Sequence, residues 1–200
     1  MTWATRITIL RLILIPFFVA FILTYDDTTS EGRPEEVWRY AAIAVFIVAS
    51  LSDALDGYLA RHWNQGSALG ALLDPIADKL LLLAALITLG LVPTGHLRPF
   101  PMWFPVIIIS RDALLLGGYC ILRHFQVPVE IKPHWTGKAS TLFTLLAIGA
   151  VLFKLGGLAI FSLCGLGAAF ALGCTVIYVR QGLALLNRSG HTSAQPGLKK

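Results

Sequence analysis

The sequence predicts an all-α integral membrane protein: a bundle of six transmembrane helices with both termini cytoplasmic. Three observations carry this expectation. Of the 200 residues, 56% are apolar and 14% charged, against about 25% charged in a typical soluble domain. The apolar residues gather into runs close to the ~20 residues that cross a bilayer, and the mean hydropathy is +0.72. Most of the Lys and Arg lie at the N-terminus, after Arg61, in the 123–138 connection and in the tail, while Asp26–Glu36 between them is acidic, an asymmetry that suits orientation by the positive-inside rule. One domain over residues 1–186 follows, with a polar, disordered tail over 187–200.

The first span is Ile7 to Tyr25. Arg11 interrupts its start and no small-residue cleavage site follows, so it reads as an anchor and not as a removed signal. Arg6 and Arg11 suit a cytoplasmic edge; Arg11 is also a candidate phosphate contact. Asp26 to Glu36 holds five acids and reads as a loop on the far side. Val37 to Ala60 is the second span and Leu69 to Leu91 the third, with a turn near Asn64-Gln65-Gly66. Thr94–Phe100 is a second outer loop. Pro101 to Leu122 is the fourth span and carries Arg111 and Asp112 in its middle. Neighbours on a helix diverge by about 100°, so these two need not pair with each other. Ionisable groups inside a span are costly: Arg111 either serves a site or braces neighbouring helices. Arg123 to Lys138 is a basic loop whose His124 and His134 read as interfacial. Ser140–Phe153 is the fifth span. Leu158–Val179 is the sixth, and its glycines permit close helix packing or dimer contact.

This arrangement places the basic connections in the cytoplasm. The net charge of +5 then concerns topology and anionic lipid, not nucleic acid. Cys120, Cys164 and Cys174 lie in apolar stretches with neither disulfide nor metal spacing, and read as packing residues.

The densest chemistry lies between the second and third spans. Asp53, Asp56, Asp74 and Asp78 are four of only 11 acids in the chain. Spacings of three and four put each pair on one helix face. Four ionised carboxylates cannot share a small apolar volume without countercharge. Oxygen-only ligands suit Mg²⁺, Mn²⁺ or Ca²⁺ and not zinc, and paired metals are a device for phosphoryl chemistry. Gly57 and Gly70 are small positions beside the acids, and Arg61 offers a planar fork to phosphate. Chance acids on solvated helix ends are the bland alternative, and four acids, two glycines and an arginine at these spacings argue against it.

Those eight residues, Asp53, Asp56, Gly57, Ala60, Arg61, Gly70, Asp74 and Asp78, resemble the signature of the CDP-alcohol phosphatidyltransferase family of integral membrane enzymes. Ile7-Thr8-Ile9-Leu10-Arg11 through Pro16, and Trp63-Asn64-Gln65, resemble the phosphatidylglycerophosphate synthase and cardiolipin synthase branches, as does Gly137-Lys138. The resemblance covers residues 6 to about 180. It implies six transmembrane helices, a homodimer, two Mg²⁺ or Mn²⁺ ions, and transfer of a phosphatidyl group from CDP-diacylglycerol to an alcohol with release of CMP. It implies an active site facing the cytoplasm from a bacterial or organellar inner membrane. The four aspartates would hold the metals, with Asp78 as general base. Asp53, Gly57, Ala60, Arg61 and Gly70 would take the CDP-lipid.

Arg11, Arg111 and Lys138 are the candidates for the acceptor's phosphate. Glycerol 3-phosphate is the leading acceptor, on commonness. Phosphatidylglycerol is the alternative, because Ile109-Ser110-Arg111-Asp112 resembles the cardiolipin synthase branch. From other classes, a divalent-cation transporter would carry acids deep in several spans, whereas these cluster at one end of two. A purely structural membrane protein would have no reason to concentrate its charge.

Overall fold

Among the described residues, the regular structure is six α-helices: α1 (Trp3–Ser30), α2 (Glu36–Trp63), α3 (Ala68–Leu91), α4 (Trp103–His124), α5 (Trp135–Leu152) and α6 (Gly157–Ser193). This computed structural model describes the backbone of residues 3–32, 35–63, 68–91, 97, 99–124 and 135–193. Side chains are described for 8–32, 35–52, 77, 79–90, 97, 99–118 and 135–182. The turn expected at Asn64-Gln65-Gly66 lies outside these residues.

Every expected span has its helix, and several helices overrun the expected ends. α1 continues through Asp26 and Asp27, which the sequence places in a loop. The Thr28 and Thr29 hydroxyls donate back to the Tyr25 carbonyl at 3.0 and 2.7 Å, filling its acceptor positions within the helix. The chain leaves at Gly32, whose φ of 75° is a left-handed conformation that glycine adopts without strain. α5 begins at Trp135, five residues before the expected Ser140, and so takes in Gly137 and Lys138. α6 runs to Ser193, so residues 187–193 are helical and not part of an unstructured tail. Leu183-Ala-Leu-Leu are good helix formers, and no proline intervenes before Pro196. Residues 194–200 lie outside the described residues.

The chain divides into two compact units: Met1–Pro101 with Leu145–Phe161, and Met102–Thr144 with Ser162–Lys200. In the first, α1 packs along both α2 and α3. Its buried stripe is Thr8, Arg11, Phe18, Ile22 and Tyr25, recurring at helical spacing. α2 answers with Arg39, Ala42, Phe46 and Ala49, and α3 with Ala77, Leu81, Ala85 and Leu89. The Phe18 and Phe46 rings meet at 5.8 Å. In the second unit, α4 buries Phe104, Ile108 and Arg111, and α6 buries Cys164, Ala168, Ala171 and Cys174. Gly167 permits a close approach there: a methyl group in its place would lie 3.2 Å from the Phe104 ring and 3.4 Å from Phe143 Cβ.

Outer faces carry Ile13, Phe17, Leu51, Leu116, Leu158 and Phe161, all exposed. Large apolar side chains on the outside suit lipid contact. Three helical stretches among the described residues are long and apolar enough to cross a bilayer: Thr8–Ser30, Trp135–Leu152 and Gly157–Gly182.

The end of α5 shows how the first unit is clamped. Lys154 N–H reaches Val151 O at 3.0 Å and Leu155 N–H reaches Ala150 O at 2.9 Å, the paired bonds of a Schellman stop. The left-handed residue is Lys154, with φ 55°, where glycine is usual. Its ammonium pairs with Glu36 at the start of α2 and lies 5.6 Å from the Tyr25 ring centre. Arg39 pairs with the same carboxylate and donates from Nη1 to the Leu152 carbonyl at 2.7 Å. That cation at a helix C-terminus satisfies a carbonyl the helix leaves open. The Lys154 side chain thus compensates a backbone conformation that costs roughly 1 kcal/mol outside glycine.

Glu36 lies outside the three apolar stretches. The hydrogen bond from Lys154, followed by that from Arg39, outweighs burial and holds its carboxyl below the ordinary 4.5. A depressed acid stabilises fully above its unfolded value and loses that contribution as pH falls through the folded value. Glu36→Gln is therefore expected to lower the Tm of detergent-solubilised protein at neutral pH, with the gap to the unaltered protein closing below pH 4.5. Arg39→Ala should cost about 2 kcal/mol through the lost charged hydrogen bond. Thermal unfolding across pH checks both.

Candidate active site

The four sequence-predicted aspartates fall at matched levels of two adjoining helices. Asp53 and Asp56 lie ten and seven residues before the end of α2 at Trp63. Asp74 and Asp78 lie six and ten residues after the start of α3 at Ala68. Only four residues link α2 to α3, and the helices touch, so they run antiparallel. At a rise of ~1.5 Å per residue, Asp53 and Asp78 both stand about 15 Å in, and Asp56 and Asp74 about 10 Å in.

Helical spacing also puts the acids in line with buried stripes. Arg39, Ala42, Phe46 and Ala49 on α2 are buried, and steps of four and three continue that stripe to Asp53 and Asp56. On α3, Asp74 and Asp78 share the stripe of Ala77 and Leu81, exposed by 0% and 2%. Arg11 belongs to the buried stripe of α1, eight residues from its start. The side chains of the four aspartates, and of Gly57, Ala60, Arg61 and Gly70, lie outside the described residues. Among the described residues, no three metal-ligating side chains come together.

A second polar cluster is described in full, in the second unit. Arg111 is 7% exposed, deep among α4, α5 and α6. Its Nη1 lies 3.4 Å from Ser140 Oγ on α5 and 3.6 Å from Asp112 Oδ1. Its Nη2 lies 3.8 Å from Cys174 Sγ on α6. The Ser140 hydroxyl donates onward to the Gly167 carbonyl at 3.1 Å, so its lone pairs face the guanidinium. Arg111 Nε is buried with no acceptor among the described residues. Arg111 and Asp112 do pair, because the long arginine stem folds back across the angle that separates adjacent residues. Lys138 is exposed on the first turns of α5.

The sequence by itself assigns Cys174 to packing alone and singles out neither Ser140 nor the approach at Gly137. Of these, only Ser140 carries a signal: it follows Gly137 by three residues and precedes Thr144 by four, giving a small and polar stripe on an otherwise apolar helix.

Comparison with known proteins places this geometry in context. Residues 1–179 match the family model described as CDP-alcohol phosphatidyltransferase. A CDP-diacylglycerol–glycerol-3-phosphate 3-phosphatidyltransferase of Haemophilus influenzae is 37% identical over 150 residues, 74% of each chain. The enzyme of the same name from Escherichia coli is 32% identical over 152 residues, 75% of this chain and 76% of its own. A cardiolipin synthase (CMP-forming) of Streptomyces coelicolor is 37% identical over 169 residues, 84% of this chain and 73% of its own. With the family model spanning nine-tenths of the sequence and every fixed residue of the signature between Asp53 and Asp78 present, the chain belongs to the CDP-alcohol phosphatidyltransferase family.

Proposed function

We propose that this protein transfers the phosphatidyl group of CDP-diacylglycerol to the hydroxyl of glycerol 3-phosphate and releases CMP, acting as a phosphatidylglycerophosphate synthase. The observation that carries the reading is the eight-residue signature on α2 and α3, whose acids share matched levels on adjoining helices. The names of the Haemophilus influenzae and Escherichia coli relatives support the acceptor. The six helices form a six-span bundle with both termini and the aspartates on the cytoplasmic side, in keeping with the basic connections there. A homodimer is part of the same reading.

The residues suit divalent metal. Four carboxylates clustered in apolar helical sequence need positive charge, and oxygen donors favour Mg²⁺ or Mn²⁺. Asp53, Asp56, Asp74 and Asp78 would hold two such ions, which supply charge stabilisation to the pyrophosphate of the donor. Asp78 accepts the proton of the attacking hydroxyl as general base. Asp53, Gly57, Ala60 and Gly70 leave room for the cytidine diphosphate, and Arg61 pairs with its phosphate. Arg11, Arg111 and Lys138 are the cations assigned to the acceptor's phosphate. All three are basic groups that can meet a phosphate oxygen by charge-assisted hydrogen bonds.

One observation favours a second acceptor. Aspartate at position 112 follows Arg111 where the resemblance leans to the cardiolipin synthase branch, and the Streptomyces coelicolor relative carries that name. Phosphatidylglycerol would then replace glycerol 3-phosphate.

Purified protein given CDP-diacylglycerol is expected to release CMP with glycerol 3-phosphate and not with phosphatidylglycerol; the opposite preference moves it to the second reading. Asp78→Asn is expected to lower kcat by a factor of about 10² to 10⁴, the usual contribution of general-base catalysis, while CDP-diacylglycerol still binds. Ordinary turnover in that variant would remove Asp78 from the role. Chelation with EDTA should stop CMP release, and Mg²⁺ or Mn²⁺ should restore it.

A further inference from the structure

The Arg111 guanidinium is held on two of its corners and open on the third. Arginine carries five N–H donors in a rigid plane. One Nη1 donor is directed to Ser140 Oγ at 3.4 Å, and one Nη2 donor to Cys174 Sγ at 3.8 Å. Ser140 is itself fixed, because its hydroxyl donates to the Gly167 carbonyl on α6 at 3.1 Å. Gly167 cannot withdraw without opening the contact it makes with Phe104 and Phe143. A floor completes the arrangement: a methyl group at Gly137 would lie 3.2 Å from Nη2 and 3.4 Å from Cys174 Sγ. Only a bare Cα leaves the guanidinium where it is. Nε is buried and has no acceptor among the described residues. A buried cation with an unused donor is an anion site in waiting, since leaving that donor unmet costs free energy.

We propose that Gly137, Ser140 and Cys174 form a cradle that poses the Arg111 guanidinium so that Nε–H and the remaining Nη2 donor meet a phosphate group, while Nη1 is taken up by Ser140 and by Asp112 Oδ1 at 3.6 Å. Resting on the function proposed above, that phosphate is the acceptor's, and the three residues are positioning residues that act through Arg111. Cys174 is thereby more than filler. Its sulfur takes a donor that would otherwise turn the fork away, and a hydroxyl in its place can do the same. A branched apolar side chain of similar size cannot.

The test uses the full chain in detergent or nanodiscs, with initial rates of CMP release at varied glycerol 3-phosphate and varied CDP-diacylglycerol. Ser140→Ala and Cys174→Val are each expected to raise the KM for glycerol 3-phosphate about tenfold, the worth of one charged hydrogen bond. The kcat and the KM for CDP-diacylglycerol should stay within about twofold. Cys174→Ser should restore the acceptor KM, which a merely structural loss of packing would not allow. Gly137→Ala should shift the acceptor KM in the same sense as Ser140→Ala. If all four variants keep the acceptor KM, or if kcat and both KM values move together, the cradle is wrong. Arg111→Gln separates this from the reading beneath it. An unchanged acceptor KM in Arg111→Gln overturns Arg111 as the phosphate-binding group. A raised KM there with no effect at Ser140, Cys174 and Gly137 overturns only the cradle.

Discussion

An ionic group removed from water must find partners, and that constraint shapes the buried arginines Arg39 and Arg111. Leaving one buried charge uncompensated costs several kcal/mol. Arg39 meets the constraint with Glu36 and with the open carbonyl at the end of α5. Lys154 is exposed and under no such constraint; it pairs with the same carboxylate from a left-handed backbone. Arg111 meets it in part, through a serine, a thiol and its neighbouring aspartate. The difference between these cases separates structural charge from charge that is available to a ligand. Arg39 has a full carboxylate at its Nε, whereas Arg111 Nε has none among the described residues.

Small side chains set how close the helices come, and closeness decides which polar contacts exist. Gly167 lets the Phe104 ring and Phe143 sit against α6. That same approach carries the Gly167 carbonyl within reach of the Ser140 hydroxyl. Gly137 does for α5 what Gly167 does for α6. In lipid no difference in hydrophobicity draws helices together, so van der Waals fit and a few interhelical hydrogen bonds hold them. The stacked rings of Phe143 on α5 and Phe170 on α6, 5.5 Å apart and inclined by 5°, join the same two helices. A polar cluster at such a seam is held rigidly because the seam is dry and tight.

The features legible in the amino-acid sequence are those that depend on near neighbours along the chain. Six helices are legible because each apolar run has the length and period of a helix, and the acid pairs are legible because spacings of three and four share a face. The ends are less so. Asp26 and Asp27 look like loop residues, yet threonine hydroxyls at 28 and 29 prolong α1 around them. The clamp joining Glu36, Arg39 and Lys154 cannot be read from the sequence, because 118 positions separate Glu36 from Lys154 and no periodicity joins them. Cys174 stays silent for the same reason: its partner is 63 positions away. The candidate site divides likewise. The motif names Asp53, Asp56, Asp74 and Asp78 by spacing alone, while the geometry around Arg111 exists only once three helices are assembled.

If Arg111 binds the acceptor's phosphate as proposed, the choice of acceptor turns on how a buried fork meets phosphate. Glycerol 3-phosphate presents a monoester with three terminal oxygens and close to two negative charges; phosphatidylglycerol presents a diester with two free oxygens and one charge. A guanidinium whose Nη1 is taken up by Ser140 and Asp112 and whose Nη2 gives one donor to Cys174 keeps Nε–H and one Nη2 donor, enough to meet two oxygens of a small dianion. An exposed lysine such as Lys138 adds charge without fixing direction. A buried cation gains more from a compact dianion than from a singly charged diester that brings its acyl chains with it. On that reading the electrostatics favour the soluble acceptor, although the Asp112 carboxylate, 3.6 Å from Nη1, opposes any anion brought to this guanidinium and leaves only the Nε edge for it.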